Sequence, residues 1–297
     1  MKKFYTIMFF VSLALFAASV IALLVYGLNF GVDFKGGSIL EVEFSQDLPS
    51  IPEVQVLLTN ALPSHEFTLN SVGDNGLVIR SSELSEEAHQ AVLNVLRNKS
   101  SDLTVEEKRF NSVGPAIGKE LRTKSFIAIG LVLVSIAVYM TFVFRKLSRT
   151  LSLLAMNVST LVALLHDIII PMGVFAVLGH YYNVQISGVF VAAVLTVLGY
   201  TVSDKVVIFD RVRENILRGS KDDLGNIVHK SVMQTLVRSI NNTLTVVLSS
   251  AAIYLFGGES IKYFALALML GIFLGAYSSI FVSSPLLVWW SKWLKKA

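Results

Sequence analysis

Apolar residues run along this chain in long, nearly unbroken blocks. Six of them reach the length needed to cross a bilayer: Phe4–Tyr26, Ser125–Phe144, Leu151–Leu178, Ile186–Phe209, Val232–Phe256 and Phe264–Trp290. A hydrocarbon core of about 30 Å takes about 20 helical residues at 1.5 Å each. The third block carries Pro171 inside it. Between the first and second blocks the pattern changes to short elements. Ser38–Phe44 alternates as a strand does, with Ile39, Val42 and Phe44 set among Glu41 and Glu43. Pro52–Leu62 predicts a helix, with Pro near its first turn and Pro63 after its end. Glu66–Leu69 and Leu77–Arg80 predict strands flanking the turn Gly73-Asp74-Asn75-Gly76. Leu84–Asn98 predicts a helix capped by Ser85, with Ala88, Val92, Val95 and Leu96 on one face. Leu103–Phe110 predicts a last strand. The order β-α-β-β-α-β is that of the ferredoxin-like split βαβ. The fold class is therefore an α-helical membrane protein with six transmembrane helices and one small α+β ferredoxin-like domain between helices 1 and 2. Its boundaries are 1–28 for the first helix, 29–124 for the small domain and 125–297 for five further helices.

Composition agrees. Of 297 residues 54% are hydrophobic and 15% charged, and the mean hydropathy is +0.65; soluble domains average about 25% charged. There is no cysteine, which excludes disulfides, thiol nucleophiles and cysteine metal sites. The net charge of +4 divides unevenly. Positions 29–124 hold 14 acidic and 9 basic residues; the remainder holds 7 and 16. The basic excess thus lies beside membrane segments and gives no reason to expect a nucleic-acid partner. Lys2, Lys3, Arg145, Lys146, Arg149, Arg211, Arg213, Arg218, Lys221, Lys230, Lys292, Lys295 and Lys296 fall on one side, whereas the opposite short loops offer only Lys262. The positive-inside rule puts both termini in the cytoplasm and 29–124 outside. Phe4–Tyr26 has no cleavage site after it and reads as a retained anchor. Trp289, Trp290 and Trp293 read as an interfacial belt.

Charges inside spans cost at least about 2.5–3.5 kcal/mol each at mid-span, so each needs a reason. They are His166 and Asp167, Asp204 and Lys205, and Arg238. Asp204 lies seven residues before Arg211, about 10 Å, and Arg238 eight after Lys230, about 12 Å. On consecutive antiparallel spans the two meet at one depth. Thr196, Tyr200 and Ser203/Asp204 share one helical face; Gln234, Arg238, Asn241/Asn242 and Thr245 share another. Two facing polar stripes predict a hydrated ion path. A static ion pair that only locks helix packing is the other reading. Lys205 is expected to snorkel toward the headgroups. His166-Asp167 is expected in the outer half, about 26 Å from Arg149, with at most one of the two facing the path. His65 and His89 read as lone surface histidines. Gly31, Gly36 and Gly37 after the first span, and Gly114 and Gly118 around Pro115 before the second, predict sharp turns or hinges. Gly271 and Gly275 form a GxxxG pair for close helix packing.

Several of these segments carry a family resemblance. Gly31-Val32-Asp33-Phe34-Lys35-Gly36-Gly37 resembles the GVDFxGG element of SecD/SecF proteins, and Val113–Leu121 their VGPxIGxEL junction. Leu165-His166-Asp167 resembles the third-span motif of the SecF branch. Gly199–Asp204 through Phe209–Asn215 is similar to GYSxND…FDRIREN, and Gln234-Thr235-Leu236, Arg238 and Asn241 to QTLxRxxN. The resemblance covers nearly the whole chain. It implies a bacterial inner-membrane subunit of the Sec preprotein export machinery, within the RND superfamily and not an enzyme. It further implies pairing with SecD, assistance to the SecYEG channel, YajC as a further partner, and a translocating preprotein as cargo. The energy source would be the proton-motive force, or a sodium gradient, with no cofactor and no metal. By motif position Asp204 and Arg238 match the intramembrane acid and arginine, which would work with an aspartate from SecD. Asp167, Gln234, Asn241 and Tyr200 join them as candidates for the ion path. Two positions depart from the pattern: Ser203 stands for the usual asparagine, and Lys205 follows the acid.

Three rivals remain. An RND-type small-molecule transporter half would need a drug pocket. An intramembrane aspartyl protease using Asp167 and Asp204 would need both acids at one depth and a GxGD motif; the depth estimates differ by more than about 10 Å and the motif is missing. A structural scaffold of the translocon without ion coupling would bind partners only.

Overall fold

A computed structural model describes residues 3–45, 48–98, 104–145, 151–219 and 222–294. Of the residues used above, Lys2, Lys146, Arg149, Lys221, Lys295, Lys296 and Leu103 lie outside that set. The chain forms two compact units, Phe30–Ser125 and Met1–Asn29 with Phe126–Ala297.

The small unit begins with α2 (Val32–Lys35), a single turn, where a bare turn was expected. Next come β1 (Gly37–Phe44), α3 (Ile51–Ala61), β2 (Phe67–Val72), β3 (Gly76–Ser81), α4 (Glu86–Arg97) and β4 (Val105–Val113). The sheet is antiparallel in the order β2-β3-β1-β4, the ferredoxin-like arrangement. β1 sits between β3 and β4, with Leu40 opposite both Ile79 and Phe110. Leu40, Val42 and Phe44 point inward with Leu77 and Ile79, whereas Ile39, named with Val42 and Phe44 in the sequence, falls on the opposite face because strand side chains alternate with a period of two. Val54 and Leu58 of α3 and Val92, Leu93 and Leu96 of α4 close over them. Each such side chain contributes about 1.5–3 kcal/mol on leaving water. Ser85 caps α4 by accepting from the Ala88 N–H. His89 is not a surface residue: it is buried, stacked flat on Phe110 at 3.7 Å, with Glu86 and Glu107 each 3.4 Å from a ring nitrogen. It sits on the same face of α4 as Val92, Leu93 and Leu96, and burying one flat ring against another outweighs its polarity there.

The glycines of the small unit close a clasp. Gly36 and Gly37 have φ of +82° and +128°, which L side chains avoid. A Cβ on Gly36 would lie 2.7 Å from Pro115 Cα, and one on Gly118 2.9 Å from Gly36 N. Backbone therefore packs on backbone, and the positions are close-packed turns rather than open hinges. Gly31 is the residue before α2, and Gly114 faces the Glu83 carboxylate.

Among the described residues, six helices are long and apolar enough to cross a membrane. They are α1 (Lys3–Tyr26), α5 (Pro115–Phe144), α6 (Leu153–Tyr182), α7 (Gly188–Leu217), α8 (Leu224–Phe256) and a composite of α9 (Glu259–Ser278), a π turn (Ser279–Ser283) and α10 (Ser284–Leu294). Three of them extend well past the apolar blocks: α5 starts at Pro115, α7 runs on to Leu217 and α8 starts at Leu224. The π turn precedes Pro285, which lacks an N–H and whose ring would press on the carbonyl of Phe281. The wide turn relieves that clash, and Ser284 Oγ donates to the Ser279 carbonyl at 2.7 Å.

Small residues set the close crossings. α1 packs on α6, where a Cβ on Gly173 would lie 2.6 Å from Ser19 Cα. α9 packs on α7, where Gly271 meets Val197 and a Cβ on Gly275 would overlap Thr201. Between α6 and α7, Asn183 adopts a left-handed conformation and accepts from Asn29 Nδ2 at 2.9 Å.

Candidate functional site

The close crossings bring the intramembrane polar residues into one layer. Asp167 is 14 residues from Leu153, Asp204 13 from Leu217, Lys205 12 from Leu217 and Arg238 14 from Leu224. Each distance is about 18–21 Å along its helix, and these helix ends share one side of the bundle. The expectation that Asp167 and Asp204 differ in depth is therefore corrected. It took Arg211 as the end of a span that actually continues to Leu217.

Lys205 is the second correction. It does not snorkel. Its side chain is fully buried, and Nζ donates to Asp167 Oδ2 at 2.7 Å and to the Thr201 carbonyl at 3.4 Å. Asp167 is equally buried and offers its other oxygen to His166 Nδ1 at 3.2 Å. His166 Nε2 lies 2.6 Å from Ser12 Oγ of α1. Both members of the His166-Asp167 pair thus enter the layer, where at most one was expected. Neighbouring side chains on a helix do diverge by about 100°, but α1 and α7 flank α6 on two sides and each receives one of them. The register supports this: Ser12 and Ser19 are seven apart, and so are their partners His166 and Gly173. The Tyr277 ring stacks beside His166, and its hydroxyl donates to the Met8 carbonyl at 2.8 Å.

Asp204 sits at the rim of this cluster, next in sequence to Lys205. It accepts from Ser239 Oγ of α8 at 2.8 Å. Arg238 shares that level and is close enough for its charge to act on Asp204, yet among the described residues it makes no ion pair with it. Its side chain is exposed on the outside of the chain, as are Gln234, Asn241, Asn242 and Thr245. The two expected stripes do not face each other as a closed pair. The α8 stripe forms an open polar face flanking Asp204, with Ser203 and Thr196 exposed on α7. Gln234 is tied to Asn215, whose Nδ2 donates to it at 3.0 Å. The hydroxyls of Tyr200, Thr201 and Thr243 are buried without protein partners, which suits sites for water.

The layer brings His166, Asp167, Asp204, Lys205 and Arg238 to one level within a single chain. Among the described residues no group of His, Asp and Glu could hold a metal.

The model for "Protein export membrane protein SecD/SecF, C-terminal" matches residues 92–293, and that for the "SecD/SecF GG Motif" matches 21–47. The chain belongs to the SecD/SecF family. Among its relatives, the protein translocase subunit SecF of Thermobaculum terrenum is 38% identical over 95% of this chain and 90% of its own. That of Anaerolinea thermophila is 37% identical over 97% and 94%. The crystal structure of SecDF, a translocon-associated membrane protein from Thermus thermophilus, matches with a TM-score of 0.81 at 29% identity. That match covers 98% of this chain and 39% of the longer SecDF chain. The chain is thus a SecF-type multi-pass membrane protein of protein translocation.

The buried Asp167–Lys205 pair is what the sequence reading missed. The signal was present: the polar but helical Arg211–Leu217 continues α7, which lowers Lys205 to the level of Asp167.

Proposed function

We propose that this chain pairs with a SecD chain in the bacterial inner membrane and couples the proton-motive force to preprotein export through a SecYEG-type channel. The observation that carries this reading is the polar layer with its open side. An arginine exposed at mid-span is costly in lipid. A SecD helix bearing a carboxylate would cover the α8 face and complete a cluster of acids around Arg238. Asp204, at the rim, exchanges a proton with water there. In its charged form it is drawn to Arg238 and Lys205; protonated, it keeps only the Ser239 hydrogen bond. The α7–α8 contact then relaxes. The motion reaches the extracytoplasmic domain through α1 and α5, the helices that lead into and out of it. One elementary charge crossing 100 mV supplies about 2.3 kcal/mol, enough to bias such an equilibrium strongly. Both termini lie in the cytoplasm in this reading, and positions 29–124 lie outside.

The test is co-reconstitution with the SecD partner and the translocon in vesicles, under an imposed proton or sodium gradient. Asp204→Asn and Arg238→Ala should each abolish the gradient-dependent part of preprotein export and leave the ATP-driven part. Unchanged export in both variants refutes the coupling. One observation favours the scaffold reading, the complete burial of Asp167 and Lys205, which suits a static lock. That reading requires SecD to co-purify while neither variant alters gradient dependence.

A further inference from the structure

A groove between α5 and α6 lies apart from the charged layer. Ile136, Met140 and Phe144 form the buried stripe of α5, and Phe144 meets Phe209 edge-on at 6.3 Å. Beside that stripe, Val134, Val138, Thr141 and Arg145 of α5 and Leu161 and Leu165 of α6 line a groove of about 750 Å³ that is open to the outside of the chain. Thr141 is already engaged by Asn157 Nδ2 at 2.6 Å. Polar side chains are therefore confined to one end, where the Arg145 guanidinium stands 4.8 Å over the Phe142 ring. From Leu133 to Arg145 the lining spans 12 residues, about 18 Å. That is close to half of the roughly 30 Å hydrocarbon core, or one leaflet.

A partner helix crossing the membrane would need a track about twice that length. The occupant must instead be apolar over one leaflet and negative at the membrane surface. We infer that this groove binds an anionic phospholipid of the leaflet at the Arg145 end, its acyl chain along Val134, Val138, Leu161 and Leu165 and its phosphate on Arg145. An aliphatic chain matches the wall, and a guanidinium presents paired donors to phosphate oxygens. Basic pockets between membrane helices recognise acidic headgroups on the same grounds.

The experiment places the full chain in nanodiscs of equal phosphatidylglycerol and phosphatidylcholine with identical acyl chains. Native mass spectrometry then reads the lipids retained on ejection. The wild type should retain phosphatidylglycerol over phosphatidylcholine by about fivefold, the ratio that roughly 1 kcal/mol per basic residue implies. Arg145→Gln should bring the ratio to about one, while Arg218→Gln, which removes a basic charge elsewhere, leaves it unchanged. Val138→Trp, at a position 64% exposed and so tolerant of bulk, should lower the retained count of both lipids. A photo-crosslinker at Val134 should label lipid. A wild-type ratio of one, a ratio unmoved by Arg145→Gln, a full lipid complement in Val138→Trp, or crosslinking to a protein helix would each overturn the assignment.

Discussion

Replacing Lys205 with methionine keeps nearly the same volume and removes the cation from a fully buried ion pair. At 2.7 Å and an effective dielectric of about 20, the attraction between Lys205 and Asp167 is about 6 kcal/mol. Taking both ions out of water costs several kcal/mol each, so the pair as a whole is close to neutral for stability. Losing one partner is different. Asp167 would be left fully enclosed beside the His166 ring without its lysine, and must either carry an uncompensated charge or take up a proton. Such a change costs about 3–5 kcal/mol. Lys205→Met and Asp167→Asn should each lose about that much, and the double variant should return to within about 1 kcal/mol of wild type. Equilibrium unfolding in mixed detergent–SDS micelles, followed by fluorescence of Trp289, Trp290 and Trp293, measures all four corners of the cycle. Single variants that lose under about 1 kcal/mol, or a double variant whose loss equals the sum of the singles, would refute the pairing as the source of the effect.

Three further changes test other parts of the fold. Gly275→Ala should destabilise the helix bundle by about 1–3 kcal/mol through overlap with Thr201, and Thr201→Ala in the same chain should restore only part of it, because the Thr201 Cβ itself would lie 2.6 Å from the added methyl, read by the same unfolding assay. Gly36→Ala, at a φ of +82° and against Pro115, should cost the small unit at least about 1–2 kcal/mol, seen as faster proteolysis of positions 30–125. Asp223 accepts from the Gly225 N–H at the start of α8 and, at 3.3 Å, from Lys292, which together hold its carboxyl below the ordinary aspartate range. Asp223→Ala should cost about 1 kcal/mol at neutral pH. A depressed folded-state pKa stabilises above the unfolded value and is lost as pH falls through the folded one, so wild type and variant should differ equally from about pH 5 to 8 and converge below about pH 4.

The six spans and the βαββαβ order were legible because both rest on local rules. Twenty apolar residues in a row have one low-energy home, and a period-two pattern in Ser38–Phe44 commits that strand to one buried face. The family motifs likewise sit in contiguous residues. The partners of the charged groups were not local. Lys205 was placed at the headgroups because its own helix was ended at the first arginines, whereas α7 continues through Leu217. His89 was placed on the surface because a lone polar residue on a helix says nothing of the Phe110 ring across from it. Lys205 finds its carboxylate on another helix, 38 residues away in the chain, within a bundle whose close crossings are at Gly275–Thr201 and Gly173–Ser19. Composition and periodicity determine where a segment lives, in lipid or in water. The pairing of charges within the lipid depends on helix ends and crossing distances of a few ångströms, and those arise only when all six helices pack together.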